Sequence, residues 1–171
     1  MSTTNVRRVA IIGSNRIPFV RSNTVYSYAS NQEMVTAALN GLVERFKLEG
    51  VKLGEVAGGA VVKLAKDSFL MRESVLGTKL SPETPAVDFQ QACATGLQAA
   101  IHIANKIALG QIDCGIAGGS DTTSDAPIAV KDKLRVKLLD VNRAKSAGAR
   151  LKKLLKIKIL NLKMLKLLMN L

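Results

Sequence analysis

The sequence predicts an α/β domain on a mostly parallel sheet, followed by a basic tail. Three observations predict it. Short β-branched apolar runs alternate with longer stretches of helix-forming residues, the order of strand–helix–strand units. One thiol, Cys93, falls where an extended stretch passes into such a helix. The charge is divided unevenly: residues 1–130 hold 12 Lys/Arg against 11 Asp/Glu, and residues 131–171 hold 13 against 2.

Val6 to Ile12 reads as a buried strand, because its β-branched residues form a short continuous run. Gly13 to Ser30 is rich in Ser and Asn and reads as a loop. Ser30 or Asn31 caps a helix that runs to about Phe46, with Val35, Leu39, Leu42, Val43 and Phe46 on one face. Glu55 to Val62 is a second strand, where Gly58 and Gly59 allow close backbone approach. Phe69 to Leu76 is a helix ending near Gly77. Ser81 to Pro85 is a turn, Ala86 to Gln90 a strand, and Ala94 to Leu109 a helix closed by Gly110. Asp113 to Gly118 is the last strand. The 94–109 helix is apolar nearly all round, the pattern of a helix buried between layers.

Cys93 then stands near a helix N-terminus, where unpaired N–H groups and the macrodipole favour an anion. A thiol there ionises more easily, and the thiolate is the nucleophile that attacks carbonyl or thioester carbon. The alternative is a small buried hydrophobe, a common fate of free cysteine. His102 lies nine residues on along the same helix, and nine residues span roughly 13 Å, too far to hydrogen-bond. It reads as a helix residue with no catalytic role. Cys114, in the apolar run Ile112-Asp113-Cys114-Gly115-Ile116-Ala117, reads as strand core. A dinucleotide turn after Val9-Ala10-Ile11-Ile12-Gly13 fails, because only the first glycine of Gly-x-Gly-x-x-Gly is present. Gly118 and Gly119 read as a close-packing turn rather than a phosphate cradle, and the Ser/Thr loop after them as either functional or a capped turn.

Three segments carry a family resemblance. Gln91-Ala92-Cys93-Ala94-Thr95-Gly96-Leu97-Gln98-Ala99 resembles the nucleophile motif of thiolases, the acyl-CoA acyltransferases. Ala117-Gly118-Gly119-Ser120-Asp121-Thr122-Thr123-Ser124-Asp125-Ala126-Pro127 is similar to the glycine-rich strand end and loop that follow it. Arg8 to Phe19 is similar to the family's first strand and its Arg-x-Pro-Phe turn. The Asp-Thr-Thr-Ser-Asp loop looks most like the long-chain 3-ketoacyl-CoA thiolase branch of fatty-acid oxidation.

The resemblance implies the N-terminal half of the layered αβαβα sandwich, with a mostly parallel mixed sheet. Residues 1–130 are expected to form that half, 131–150 to begin the family's loop insertion, and 151–171 to be a tail foreign to it. Cys93 is expected to attack the 3-keto carbon of a 3-ketoacyl-CoA, release acetyl-CoA and hand its acyl group to a second coenzyme A, with the Cys93 N–H as one oxyanion donor. Coenzyme A is thus a substrate; no bound cofactor and no metal are implied. The family's activating histidine and second cysteine lie in the other half. This chain has no Gly-His-Pro, Asn-Glu-Ala-Phe or late Cys-x-Gly segment, so it is expected to be a truncated, inactive fragment. The complete protein is expected to be a dimer or tetramer.

Residues 151–171 use only Leu, Lys, Ile, Asn and Met. They read as a basic amphipathic helix for an anionic membrane or acidic partner, as the product of an AT-rich gene read out of frame, or as a low-complexity tail. The first of these allows a second function, a non-catalytic thiolase-derived protein whose tail does the binding. The body has a balanced charge, and nothing in it suggests nucleic acid. No signal peptide or membrane span is evident, and two cysteines argue against a disulfide framework. A reactive thiol fits a reducing cytoplasm.

Overall fold

The computed structural model describes residues 6–155 and 157. They fall into two compact units, divided after Pro127. In the first, helix α1 spans Asn31–Phe46, strand β1 Glu55–Gly58, helix α2 Leu70–Leu76, strand β2 Ala86–Asp88, helix α3 Thr95–Ala108 and strand β3 Gly115–Ala117. A short 3-10 turn, Ala65–Phe69, leads into α2.

The strands form one parallel sheet in the order β2-β1-β3, with Val56 beside Ala86 on one side and Ile116 on the other. Parallel neighbours need crossover connections, which the helices supply. Side chains alternate across the sheet, and the two faces differ. Val56, Ala86 and Ile116 pack with Val35, Leu39 and Val43 of α1 and Leu70, Met71 and Val75 of α2. Ala57 and Val87 point the other way, to Ala99 and Ile103 of α3. The unit is therefore a helix–sheet–helix sandwich, the α/β class the alternating pattern predicts.

Helix α1 begins as the sequence indicates. The Ser30 hydroxyl accepts from the Glu33 N–H at 3.2 Å, and the Glu33 carboxylate accepts from the Ser30 N–H at 2.8 Å, a reciprocal capping box. At its end Lys47 takes a left-handed conformation, φ 52°, and closes the last turn.

Three expectations need correction. Val6–Ile12 is not a strand. Its backbone is tied to a helix end instead: the Arg7 N–H donates to the Ala108 carbonyl at 3.0 Å, and Arg7 pairs with Asp113 at 2.7 Å. With no ladder partner, Ile11 and Ile12 stand 94% and 83% exposed. Cys114 is exposed, not core, because β3 starts one residue after it. Helix α3 is not buried all round; Thr95, Ala99 and Ile103 are buried, whereas Leu97 and Ile101 on the opposite side face solvent.

The second unit contains α4, Asp132–Asn142, and α5, Ala147–Leu155. They are joined by Arg150 donating to the Ala144 carbonyl and Lys153 donating to that of Asp140. Apart from Ile157, the tail beyond Leu155 lies outside the described residues, and with it most of the three tail readings. No helix among the described residues is long and apolar enough to cross a membrane.

Candidate active site

Three loops leave the C-terminal ends of the parallel strands and meet. Ligand crevices of open α/β sheets form at such strand ends. Gly59 to Val62 follows β1, Phe89 to Ala94 follows β2, and Gly118 to Asp121 follows β3. Between them lies an open cleft of about 530 Å3, lined by Gly59, Val61, Ala92, Cys93, Thr95, Gly96 and the 118–121 loop.

Glycines let the loops approach. A Cβ on Gly119 would collide with the Gly59 carbonyl, and one on Gly59 with the Phe89 carbonyl. The close-packing reading therefore holds for Gly119. Gly118 is different: a Cβ there would meet nothing within 4 Å. Hydrogen bonds fix the approach. The Phe89 N–H donates to the Gly58 carbonyl at 2.7 Å, and the Ser120 N–H to that of Gly59 at 3.2 Å. The Asp121 carboxylate accepts from the Val61 and Val62 N–H groups, both at 2.8 Å. Asp121 thus clamps the β1 and β3 loops together. Sequence reading quotes this residue within a motif but assigns it no contact, because its partners lie about sixty positions away.

Cys93 is exposed in this cleft, two residues ahead of α3. The preceding Ala92 is left-handed, φ 46°. The helix has no side-chain cap. Among the described residues, no acceptor is found for the N–H of Cys93 or of Gly96. A free thiol, two free N–H groups and a helix N-terminus therefore share one open cleft. Such an arrangement can stabilise negative charge on an oxygen held next to the sulfur.

His102 is elsewhere. Its Nε2 lies 2.7 Å from Glu55 Oε2, and Lys106 Nζ lies 2.9 Å from the same oxygen. Glu55 is buried on β1, so the trio joins sheet to helix beneath the cleft. His102 thus pairs with Glu55 and does not line the cleft. Glu55→Ala strands both partners and is expected to cost about 1–3 kcal/mol in urea unfolding. A loss below a few tenths would show that the trio is idle.

Asp88, at the end of β2, is a partly buried carboxylate near the site. Its Oδ2 accepts from the Met71 N–H at 3.1 Å and so anchors the start of α2, while Lys63 Nζ stays 3.9 Å from Oδ1. Oδ1 is buried without a hydrogen bond. Burial pushes this carboxyl above its ordinary value, against the opposing pull of the Met71 N–H and Lys63. The folded chain then holds a proton that the unfolded chain has already released. This group's contribution is fully present below the ordinary aspartate value and is lost as pH rises through the raised one. The difference in stability between wild type and Asp88→Asn should therefore shift towards the variant across that acidic window. A difference flat with pH would contradict the assignment. Among the described residues no cluster of potential metal ligands exists.

The family described as "Thiolase, N-terminal domain" matches residues 9–164 of this chain, reaching into the 151–171 segment. A 3-ketoacyl-CoA thiolase of Shewanella pealeana is 37% identical over 150 residues, 86% of this chain and 34% of that protein. One from Vibrio cholerae is 36% identical over 150 residues, 88% of this chain and 34% of that protein. The crystal structure of the Bacillus anthracis acetyl-CoA acetyltransferase superposes with a TM-score of 0.71 at 23% identity, over 77% of this chain and 33% of that one. The chain spans about a third of the length of the relatives it matches.

Proposed function

Because this chain belongs to the thiolase family, we propose that Cys93 is the nucleophile of an acyl-CoA acyltransferase acting on 3-ketoacyl-CoA. The observation that supports this most is the exposed Cys93 thiol in the strand-end cleft, beside unpaired N–H groups. The sulfur forms a bond to the 3-keto carbon, and the carbon–carbon bond next to it breaks. Its electron pair leaves with the two-carbon fragment, which takes up a proton and departs as acetyl-CoA. The acyl group remains on Cys93 as a thioester. The thiolate of a second coenzyme A attacks that carbonyl, forms the shortened acyl-CoA and returns the electron pair to the Cys93 sulfur. The Cys93 N–H supports the oxyanion in both steps.

The 171 residues alone supply the nucleophile side of this chemistry and not its proton transfers. Residues 1–130 are the thiolase half, 131–150 the start of the loop insertion, and 151–171 a basic tail. The substrates are acyl-CoA and coenzyme A. The complete protein is a homo-oligomer, a reading that rests on the family resemblance alone. Two free, exposed cysteines suit a reducing compartment, and we place the protein in the cytoplasm.

Incubation with acetyl-CoA followed by peptide mass mapping tests the assignment. The expected result is an acetyl group on the Cys93 peptide in preference to the Cys114 peptide, and none at position 93 in Cys93→Ser. Equal labelling of the two cysteines would remove Cys93 from the role.

A further inference from the structure

The turn that presents Cys93 is held by a single side chain. Thr95 is 4% exposed. Its Oγ1 accepts from the Gln91 N–H at 2.9 Å and donates to the Ala92 carbonyl at 2.8 Å. The Thr95 N–H donates to the same carbonyl at 3.1 Å, and the Ala94 N–H to that of Gln91 at 3.0 Å. These bonds encircle Ala92, whose φ of 46° an L-residue adopts at a cost. That cost is about 1–2 kcal/mol, enough to reverse the turn if the bonds around it were missing. Reversal would swing Cys93 away from the helix N-terminus.

The two branches of Thr95 do different work. Its Cγ2 methyl lies over Gly59, where an added Cβ would come within 3.0 Å of it. Its hydroxyl contacts only the turn.

We infer that Thr95 is a positioning residue: its hydroxyl locks the left-handed Ala92 turn and so holds the Cys93 sulfur in the cleft at the start of α3. The inference deepens the acyl-transfer reading and rests on it for what the positioning serves.

The test needs no acyl-CoA, so its failure is separate from failure of that reading, which acetyl labelling of the wild type decides. Iodoacetamide alkylates the full chain, and peptide mass mapping gives the Cys93 rate with Cys114 as the internal reference. Thr95→Val keeps the methyl contact and loses the hydroxyl. Thr95→Ser keeps the hydroxyl and loses the methyl. Thr95→Ala loses both and serves where valine strains the fold. Moving the sulfur out of the helix-terminal field should lower the Cys93-to-Cys114 ratio roughly three- to tenfold in the valine and alanine variants. Serine should restore it, with Cys114 unmoved throughout. Amide exchange at Gln91 should quicken in the same two variants only. A ratio insensitive to the hydroxyl, or one that serine lowers as far as valine does, overturns the inference.

Discussion

The 171-residue chain is expected to release acetyl-CoA from acetoacetyl-CoA no faster than its Cys93→Ser variant. The reason is proton bookkeeping. Carbon–carbon cleavage needs a base to free the sulfur and an acid to quench the carbanion. Each such transfer by a placed side chain contributes about 10²- to 10⁴-fold. The chain's one histidine has its Nε2 at 2.7 Å from Glu55, on the sheet side of α3. Its second cysteine, Cys114, precedes β3 and does not line the cleft. Asp121 lines it, but both carboxylate oxygens are engaged by backbone N–H groups. Among the described residues lining the cleft there is no histidine and no cysteine besides Cys93. A thioester assay with the Cys93→Ser chain as blank reads the result, and turnover above that blank would sink the claim. Acetyl labelling of Cys93 is a separate matter. Thioester exchange onto a thiol involves no carbanion, so labelling without turnover is the combined outcome expected.

Local signals in the sequence carried α1, α2 and α3 well, because their determinants are local, whereas α4 lies in a stretch read only as the start of a loop insertion. Ser30 and Glu33 sit three residues apart and cap each other. Gly77 and Gly110 stand just past the ends of α2 and α3. Strand ends were less legible. The apolar run from Glu55 reads on to Val62, yet β1 stops at Gly58. Beyond it the Val61 and Val62 N–H groups leave the ladder for the Asp121 carboxylate, a partner only the folded chain brings near. Val6–Ile12 has the composition of a strand, but composition says nothing of whether a neighbouring edge is offered. Cys114 follows the same logic: an apolar run marked the strand, and the run is longer than the three residues that pair. At the cleft, the motif marked Cys93, and the structure places that thiol exposed in the lining. The work of Thr95 was not, because alanine at position 92 gives no sign of a left-handed turn. Glycine or asparagine there would have announced it.

The second large effect is expected at Gly119, where the cleft's walls touch. An alanine Cβ there would run into the Gly59 carbonyl oxygen and come within 3.3 Å of its carbon. The obstacle is backbone, so no rotamer change relieves it. Nor can Gly59 retreat. Its own missing Cβ faces the Phe89 carbonyl and the Thr95 methyl, and its carbonyl receives the Ser120 N–H. The Asp121 clamp pulls the same two loops together. Gly119→Ala must therefore break bonds or bend all three loops, at about 1–3 kcal/mol, the range of an overpacked core. Gly118→Ala is the control, because its Cβ meets open space. It is expected to stay within about 0.5 kcal/mol of wild type, as surface substitutions do. Urea unfolding of the two variants compares them directly, and equal stability would mean the loops have slack the packing does not suggest. If the cleft serves acyl transfer, the damage extends to the thiol. The loop carrying Gly59 also supports the Thr95 methyl, so Gly119→Ala should slow acetyl labelling of Cys93 while leaving that of Cys114 unchanged.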